Sequence, residues 1–481
     1  MRKNFASESD PPYGPLVAVI QFTKFVLDSK VMLNWFVLGA IISGSSTFVM
    51  GKRSEGRQNE GLMIPEKAFQ QILALGDTWR VAGVDYLERE QTVRIRIEET
   101  HALWAAQSCP HCAHATVSGY DHAPERRWRH LNVCQLQSEI LCALPRGQCQ
   151  SCRKVYTVRA PWEGRSRGLT QEFEAFALTL MREMPVSKAG EILGETDQKL
   201  WRALFAHVTA AWTDLSWENV VWVGADEMNR RKGHNYLTVF VDLQAKRVLL
   251  AVEGKDASVW ERFAGELLAH NGHPKAITQI AIDMSAAYTK GVDENFGNAI
   301  VSYDKFHVIS HVTKAVDEVR RREARVDATA RERLEKTCWL WRKNPENWTE
   351  GQAQRWEQLS RKPLVTGLAY AMRLELQKAY ASGSAAVARR RFEEWCCWVR
   401  TEAQEVADGL MEPMLRAAET IERHLEGILG HWEPGLTTAY LEGLNSLFSA
   451  VKRKARGYRS SEYQIAMLYF IAGKLPVPYY G

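Results

Sequence analysis

The sequence predicts a multidomain α+β protein, and three observations lead to that prediction. Its 481 residues are 46% hydrophobic and 25% charged, which is ordinary for soluble globular protein and enough for two to four domains. Six of the nine cysteines lie between Cys109 and Cys152, which indicates a separate cysteine-rich module. Helical periodicity begins after Pro161, gives way to strand-like runs over about 219–303, and returns from about Val308 to Gly430.

Charge and cysteine usage narrow the class of protein. A formal net charge of +5 is small for this length, so binding to nucleic acid would depend on local clusters of basic residues. An odd number of cysteines that includes two Cys-x-x-Cys pairs indicates reduced, metal-binding thiols rather than a disulfide framework. We therefore expect a cytoplasmic protein.

Residues 1–62 differ in character from the rest of the chain. The apolar run Val31–Met50 is long enough to span a bilayer, but Asn34 and the Ser/Gly/Thr cluster after Ile42 make it a weak candidate. The pattern of a cleaved signal peptide is also missing from this stretch of sequence. A clean amphipathic pattern begins at Met63, so we expect residues 1–62 to be an N-terminal extension, no membrane association, and a functional start at Met63.

Two cysteine pairs predict a zinc-binding domain within 63–160. The pairs are CPHC, Cys109 to Cys112, and CQSC, Cys149 to Cys152, and thirty-six residues separate them. Four thiolates with these spacings suit a tetrahedral structural Zn2+ site. Two unrelated reduced pairs are the alternative, and one ligand could be replaced by another nearby side chain. The possible replacements are Cys134, His111, His114 and His130.

The same segment contains the basic run RRWRHL. It sets Arg126, Arg127 and Arg129 around Trp128, a composition suited to phosphate contact and base stacking. A solvated strand face is the alternative interpretation.

Residues 161–215 predict a helix-turn-helix. A helix from Thr170 to about Glu183 is followed by a short helix with Ser187 as its N-cap, a turn at Gly194 and a further helix after Thr196. The last helix would present three side chains to a DNA groove, although a plain helical hairpin has the same pattern. These side chains are Gln198, Lys199 and Arg202.

Residues 216–310 predict the first part of a catalytic domain. Three consecutive strands are followed by helix, strand, helix and strand, which is the element order of the ribonuclease H-like fold. We expect Asp226 at the end of the first strand and Asp283 at the end of the fourth to lie side by side. Their mutual repulsion is costly unless divalent cations are shared between them. Glu227 is the neighbour of Asp226, and strand alternation allows only one of the two to face the site.

A third carboxylate is expected after the helical insertion 311–433, in the last segment, 434–481. Glu442 lies on a predicted helix there and is followed by a basic stripe. The alternative candidates for the third carboxylate are Glu419, Glu422 and Glu426, which also lie on predicted helices. The stripe contains Lys452, Arg453, Lys454 and Arg456.

Two histidines follow the fifth strand. His307 and His311 lie on one face of a predicted helix with Lys314, where they would contact a phosphate or the attacking group. An exposed polar face is the alternative. The tryptophans of the insertion are expected to pack between helices; they are Trp339, Trp341, Trp348, Trp356, Trp395 and Trp398.

From about Met63 to its C-terminus, the sequence resembles the bacterial ISL3 family of insertion-sequence transposases, of the DDE class. The motifs that carry the resemblance are, in chain order, CPHC, the helix-turn-helix, GADE, AIDMSAAY, YDKFHV, VDEVRR, LEGLNS and KRKARGYR. The resemblance implies a zinc-binding module, DNA-binding helices and a DDE nuclease domain with a helical insertion before its glutamate. Residues 1–60 depart from the family pattern.

The resemblance also implies an activity. Two Mg2+ or Mn2+ ions held by Asp226, Asp283 and Glu442 would serve DNA cleavage and strand transfer. The partners would be double-stranded DNA, as terminal inverted repeats and target, and a second copy of the chain in the active complex. A zinc-ribbon and helix-turn-helix regulator with an inert nuclease-like domain is the competing hypothesis, and a membrane-tethered protein is a third.

Overall fold

The structure is a computed structural model that describes residues 65–231, 235–361, 363–432, 439–455 and 457–476. The apolar run Val31–Met50 and the expected start at Met63 lie outside these residues. The described chain divides into two compact units, one formed by 65–180 with 190–196 and the other by 181–189 with 197–476. Within the described residues, no helix is long and apolar enough to cross a membrane.

The first unit contains two β-sheets. The larger sheet has the strand order β1-β2-β5-β4, and the smaller has the order β3-β6-β7. The strands are β1 (Trp79–Leu87), β2 (Thr92–Glu99), β3 (Val117–His122), β4 (Arg126–Val133), β5 (Leu136–Cys142), β6 (Pro145–Cys149) and β7 (Val155–Thr157), with helices α1 (Pro65–Ile72) and α2 (Ala102–Ala105). The alternating run TVRIRIEE forms β2, as predicted.

The larger sheet owes its core to that alternation. Ile95 and Ile97 of β2 are buried against Ile140 of β5, while Arg94 and Arg96, which alternate with them, point to the other face of the sheet. Trp128 of β4 is fully buried, and its ring meets Trp162 edge-on with 5.9 Å between ring centroids.

Three helices follow in the order that the sequence predicts: α3 (Gln171–Glu183), α4 (Val186–Leu193) and α5 (Asp197–Thr213). Gly194 has φ +65°, a left-handed conformation that glycine adopts without strain, and it forms the predicted turn. The prediction of Ser187 as an N-cap is wrong. The helix already begins at Val186, because the carbonyl of Pro185 accepts a hydrogen bond from the Ala189 N–H, so Ser187 lies inside it.

The second unit is built on a five-stranded sheet of order β10-β9-β8-β11-β12. Its elements are β8 (Trp222–Arg231), β9 (Asn235–Asp242), β10 (Arg247–Glu253), α6 (Ser258–Ala269), β11 (Gln279–Ile282), α7 (Ala286–Asn295) and β12 (Ile300–Tyr303). The first three strands form an antiparallel meander, and β11 and β12 add in parallel on the other side of β8. The predicted order of strands and helices is confirmed.

Apolar packing holds α6 and α7 against this sheet. Phe240 of β9 stacks on Phe263 of α6 with 4.4 Å between ring centroids, and Trp260 meets Phe240 edge-on at 5.0 Å. All three side chains are fully buried. Burial of large aromatic side chains supplies much of the free energy that fixes the helices on the sheet.

The stretch after β12 is helical, as predicted. Its α-helices are α8 (Lys305–Val326), α9 (Ala328–Leu334), α10 (Cys338–Arg342), α11 (Glu350–Ser360), α12 (Val365–Ala379), α13 (Ala385–Glu405), α14 (Glu412–Arg423) and α15 (Leu425–Leu429). Five of the six tryptophans expected to pack here are buried or partly buried in the core. Trp339 is the exception: it is 64% exposed and lies under the Arg342 guanidinium, 5.3 Å from its ring centroid.

Two helices complete the second unit, α16 (Ala439–Lys454) and α17 (Ser461–Ala472). The hydroxyl of Tyr469 in α17 accepts a hydrogen bond from the Ala251 N–H of β10, and Gln464 contacts Met228 of β8. Helix α17 therefore covers the face of the meander opposite α6.

Candidate active site and zinc site

Asp226 and Asp283 lie at the same level of two adjacent parallel strands. The last paired residues of β8 and β11 are Gly224 and Ala281, and each aspartate stands two residues further along the chain, Asp226 within β8 and Asp283 directly after β11. Strand β8 itself does not end there, which corrects the prediction that Asp226 closes it. It continues to Arg231 because its pairing with β9 extends to the pair Arg231 and Asn235.

His307 stands between the two aspartates. Its Nε2 lies 3.8 Å from Oδ1 of Asp226, and its Nδ1 lies 3.9 Å from Oδ2 of Asp283. The histidine is on the first turn of α8, whose N-terminus is capped by the Asp304 carboxylate accepting from the Phe306 N–H at 2.8 Å. The start of α8 therefore places the imidazole of His307 next to both Asp226 and Asp283.

The carboxylates are largely withdrawn from water. The side chains of Asp226 and Asp283 are 16% and 21% exposed. Burial raises the pKa of Asp283, the charge of Asp226 raises it further, and His307 and the Ser285 N–H oppose the rise. Negative charge is therefore costly at this site, and a bound cation would relieve that cost.

Glu227 is closer to the site than its place on the alternating strand suggests. It pairs with Thr238 of β9, whose hydroxyl is 2.7 Å from the Tyr288 hydroxyl of α7, so Glu227 lies on the α7 face of the sheet. Burial raises the pKa of Glu227, and the next largest contribution comes from the charge of Asp283. The adjacent acid pair Asp226 and Glu227 is the one sequence signal that could have indicated this.

Glu442 lies in α16, as predicted, but its side chain is outside the described part of the structure. The same helix is tied to β8 at its other end, where Lys452 Nζ donates to the Asn229 carbonyl at 2.7 Å. Two of the rival acids are paired with arginines, Glu422 with Arg400 and Glu426 with Arg389.

The predicted DNA-contacting residues have mixed environments. Gln198, Arg202 and Arg453 are exposed, whereas Lys199, Lys452 and His311 are partly buried. Burial lowers the pKa of His311. The side chains of Lys454 and Arg456 lie outside the described residues.

The three arginines of RRWRHL also differ from one another. Arg127 is exposed beside Glu139 at 3.4 Å, and Arg126 pairs with Glu163 above the Trp128 ring. Arg129 is only 4% exposed and donates to the carbonyls of Ser138 and Leu193 at 3.2 and 3.1 Å. Its guanidinium holds the fold together, which argues against the DNA contact predicted for Arg129.

Four cysteines converge on one point of the first unit. The Sγ atoms of Cys109, Cys112, Cys149 and Cys152 lie within 4.8 Å of one another. Cys109 to Cys152 and Cys112 to Cys149 are each 3.6 Å apart, close to the edge of about 3.8 Å for a tetrahedron with Zn–S bonds of about 2.3 Å. The residues therefore fit a structural Zn2+ ion.

The two cysteine pairs have the same backbone conformation. In each, the residue after the second cysteine has a left-handed φ, +57° at Ala113 and +61° at Arg153, and its N–H donates to the carbonyl of the first cysteine. A further N–H approaches the sulfur of that first cysteine, from His111 to Cys109 at 3.4 Å and from Cys152 to Cys149 at 3.5 Å. Hydrogen bonds to sulfur favour the thiolate form that binds metal.

Two of the four possible replacement ligands are hydrogen-bonded to other groups. His130 Nδ1 is 3.0 Å from the Thr170 hydroxyl, and His114 Nδ1 accepts from the Thr116 N–H at 3.2 Å. Cys134 occupies the turn between β4 and β5 with φ +57°. Among the described residues, the four cysteines are the one group of three or more His, Cys, Asp or Glu side chains whose ligand atoms all lie close together.

Comparisons with known proteins agree with this architecture. Residues 223–468 match the ISL3 model of DDE transposases, described as a transposase, and residues 105–152 match the zinc finger of transposase IS204/IS1001/IS1096/IS1165. The chain is 26% identical over 398 residues to the transposase for insertion sequence element IS1001 of Bordetella parapertussis, covering 80% of this chain and 94% of that protein. It is also 26% identical over 402 residues to the transposase for insertion sequence element IS1557 of Mycobacterium tuberculosis, covering 76% and 86%.

The transposase match spans more than half of the chain, and the zinc-finger match contains all four converging cysteines. The chain therefore belongs to the ISL3 family of DDE transposases, enzymes that act on DNA, and carries that family's zinc ribbon.

Proposed function

We propose that this transposase cuts DNA at the terminal inverted repeats of an insertion sequence and joins the freed ends to target DNA. Asp226, Asp283 and Glu442 are the proposed metal-binding triad. The observation that carries the proposal is the placement of Asp226 and Asp283 at one level of adjacent parallel strands, with His307 within 4 Å of both.

The donor set supports binding of two Mg2+ or Mn2+ ions. Carboxylate oxygens are the ligands that these hard cations prefer, and burial raises the pKa of Asp283, so cation binding would offset a real electrostatic cost. The hydrogen bond from Lys452 to Asn229 holds α16, the helix of Glu442, against the strand of Asp226. That tether supports Glu442 as the third ligand.

The ions would act as Lewis acids on phosphoryl oxygens and would offset the negative charge that develops during phosphoryl transfer. The protein's own residues would hold and orient the carboxylates that bind the ions. His307 contacts both aspartates and keeps their carboxylates in one arrangement, and the surrounding strands limit the access of water. In the cleavage step, water would attack phosphorus and displace the 3′-oxygen at the element's end, which leaves as a 3′-hydroxyl. In the joining step, that 3′-hydroxyl would attack a target phosphate and displace a 3′-oxygen of the target strand, so that one P–O bond breaks for each one formed.

We further propose that 216–310 and 434–481 form a ribonuclease H-like catalytic domain interrupted by the helical insertion 311–433. The strand order β10-β9-β8-β11-β12, with three antiparallel strands followed by two parallel ones, supports that assignment. The lead-in and zinc-binding domain would comprise 63–160 and the helix-turn-helix 161–215.

DNA recognition is assigned to the first modules and to the basic C-terminal stretch. Exposed Gln198 and Arg202 on α5 would read base edges, and Arg127 and Arg453 would contact phosphates. Two copies of the chain would act together, because both ends of the element must be cut and joined in one complex.

A nicking assay tests this function. Purified protein is incubated with duplexes taken from the DNA on either side of its coding sequence, with Mg2+ or with Ca2+, and nicks are mapped at nucleotide resolution. Metal-dependent nicks at a fixed position in both flanks are expected. Specific binding with no nicking under any divalent ion would instead favour the DNA-binding regulator with an inert nuclease-like domain.

A further inference from the structure

The loop that follows β10 brings a lysine to the acidic site. Residues 254–257 connect β10 to α6, and Lys255 is exposed in this loop.

The loop is fixed by hydrogen bonds on both sides of the lysine. The Gly254 N–H donates to the Tyr236 carbonyl at 3.1 Å, and the Thr238 hydroxyl donates to the Gly254 carbonyl at 2.8 Å. Asp256 accepts from the Ser258 N–H at 2.9 Å, at the start of α6. Gly254 has φ +116°, a conformation that strains other residues, so the backbone before Lys255 is specified by the sequence.

The side chain is also held in place. Its Nζ lies 4.1 Å from the centroid of the Tyr236 ring, a cation–π contact. Tyr236 and Thr238 lie on the same face of β9, and Thr238 pairs with Glu227. The ammonium therefore stands over the strand next to Glu227, and its charge lowers the pKa of both Glu227 and Asp283.

Among the carboxylates whose side chains the structure describes, none forms an ion pair with Lys255. The neighbouring cation, Arg262, is engaged, since it donates to the Glu253 carbonyl at 3.3 Å. An ordered ammonium with free donors beside a group of acids is suited to an anion that approaches those acids. In a phosphoryl-transfer site, that anion is a phosphate.

We propose that Lys255 binds a non-bridging oxygen of a DNA phosphate next to the one that is cut, and so positions the strand over Asp226 and Asp283. This inference rests on the proposed function. A phosphate that approaches several carboxylates is repelled by each of them, and the compact charge of Lys255 offsets part of that repulsion without occupying a metal position. Tyr236 orients the ammonium through its ring.

The test compares Lys255→Gln and Lys255→Arg with Lys275→Gln in the full-length, zinc-loaded chain. Lys275 is an exposed lysine just before β11, at the opposite end of that strand from Asp283, and it serves as the matched control. The probe is a duplex from the DNA flanking the coding sequence, either unmodified or with a single uncharged methylphosphonate at successive positions around the mapped nick. Zinc content and thermal unfolding confirm that each variant is folded.

We expect Lys255→Gln to slow cleavage on the order of ten- to hundredfold, because a charge-assisted hydrogen bond to phosphate is lost. In Ca2+, the slope of log affinity against log salt should fall by about 0.9, the contribution of one phosphate contact in duplex DNA. Lys255→Arg should keep the salt slope and most of the cleavage, and Lys275→Gln should resemble the wild type. A methylphosphonate at one position should slow cleavage by the wild type but should cause no further loss of cleavage by Lys255→Gln.

The inference is overturned if Lys255→Gln cleaves and binds DNA like Lys275→Gln. It is also overturned if every methylphosphonate slows cleavage by Lys255→Gln by the same factor as it slows cleavage by the wild type. Failure of the proposed function has a different signature, in which the wild type itself makes no metal-dependent nick. The salt slope in Ca2+ would then still show whether Lys255 contacts a phosphate.

Discussion

The imidazole Nε2 of His307 lies 3.8 Å from Oδ1 of Asp226, although the two residues belong to different elements, the first turn of α8 and the middle of β8. The other ring nitrogen reaches Asp283 at 3.9 Å. One side chain therefore spans the two carboxylates that we assign to metal binding. Groups that orient metal ligands in this way affect both metal affinity and rate.

Replacing His307 by Ala should lower cleavage by about ten- to a hundredfold, the usual cost of losing a group that orients metal ligands. The concentration of Mg2+ needed for half-maximal cleavage should rise, because Asp226 and Asp283 lose their common contact. A Mg2+ titration of the cleavage rate measures this. His311→Ala, one turn further along α8, is the comparison, and equal effects of the two variants would argue against a specific role for His307.

Replacing Glu442 by Gln should reduce cleavage by several orders of magnitude and leave DNA binding in Ca2+ intact. The substitution preserves size and helix propensity but removes a proposed metal ligand. Asp226→Asn and Asp283→Asn should behave alike. Cleavage in Mg2+ and binding in Ca2+ are measured on the same duplex, and an active Glu442→Gln protein would eliminate Glu442 from the triad.

Glu227→Gln should be milder than the triad variants, because Glu227 lies on the α7 face of β8. A smaller loss of cleavage is still expected, since the charge of Asp283 raises the pKa of Glu227 after burial does, which shows that the two carboxylates interact. The same pair of assays measures it. A loss of cleavage as large as that of Asp226→Asn would identify Glu227, rather than its neighbour, as the ligand.

Cys109→Ser and Cys149→Ser should each abolish stoichiometric zinc and disorder the ribbon, because each removes a thiolate from a tetrahedral site. Cys134→Ser is the control and should keep one zinc per chain. Metal analysis and hydrogen exchange over 105–152 report the two effects. A folded, zinc-loaded Cys149→Ser protein would show that the site is built from other ligands.

The buried His130 should make the first unit sensitive to acid. Burial, together with the charge of Arg129, lowers the pKa of His130 from 6.5 to about 4. Above pH 6.5 neither the folded nor the unfolded state holds the proton, whereas between pH 6.5 and 4 only the unfolded state does, so stability falls as the pH falls through that window. The full loss should be about 3 kcal/mol at 1.36 kcal/mol per pKa unit.

Hydrogen exchange of β4 between pH 7 and pH 4.5 measures that loss, with His130→Gln as the control. The variant keeps a polar side chain beside Thr170 but cannot be protonated in this range. Zinc loss at low pH affects both proteins, so the difference between them isolates the histidine. Parallel pH profiles would contradict the prediction.

Several features were predictable because they depend on residues that are close in sequence. The spacing of the two cysteine pairs predicted the four-sulfur cluster, since each pair reaches one point through a local turn. The alternation of TVRIRIEE predicted β2, and the order of apolar runs predicted the elements of the five-stranded sheet. Hydrophobic periodicity is a local property, and local sequence reports it.

Other features were decided by contacts between distant segments. Arg129 resembles its neighbours in RRWRHL, yet it is buried because carbonyls from β5 and from the end of α4 converge on it. Trp339 resembles the other tryptophans of the insertion, yet no helix of the described residues covers it. The length of β8 beyond Asp226 depends on the partner strand β9 rather than on its own residues.

The sequence by itself determined the cluster of four cysteines and the order of strands and helices, because each of these follows from local spacing or periodicity. Only the tertiary structure decided that His307 spans both aspartates, that Glu227 shares their electrostatic environment and that Lys255 stands over Tyr236 beside them. The reason is physical. These relationships join different elements of the fold, and the distances are fixed by the packing of α8 on the sheet, by the pairing of β8 with β9 and by the loop between β10 and α6.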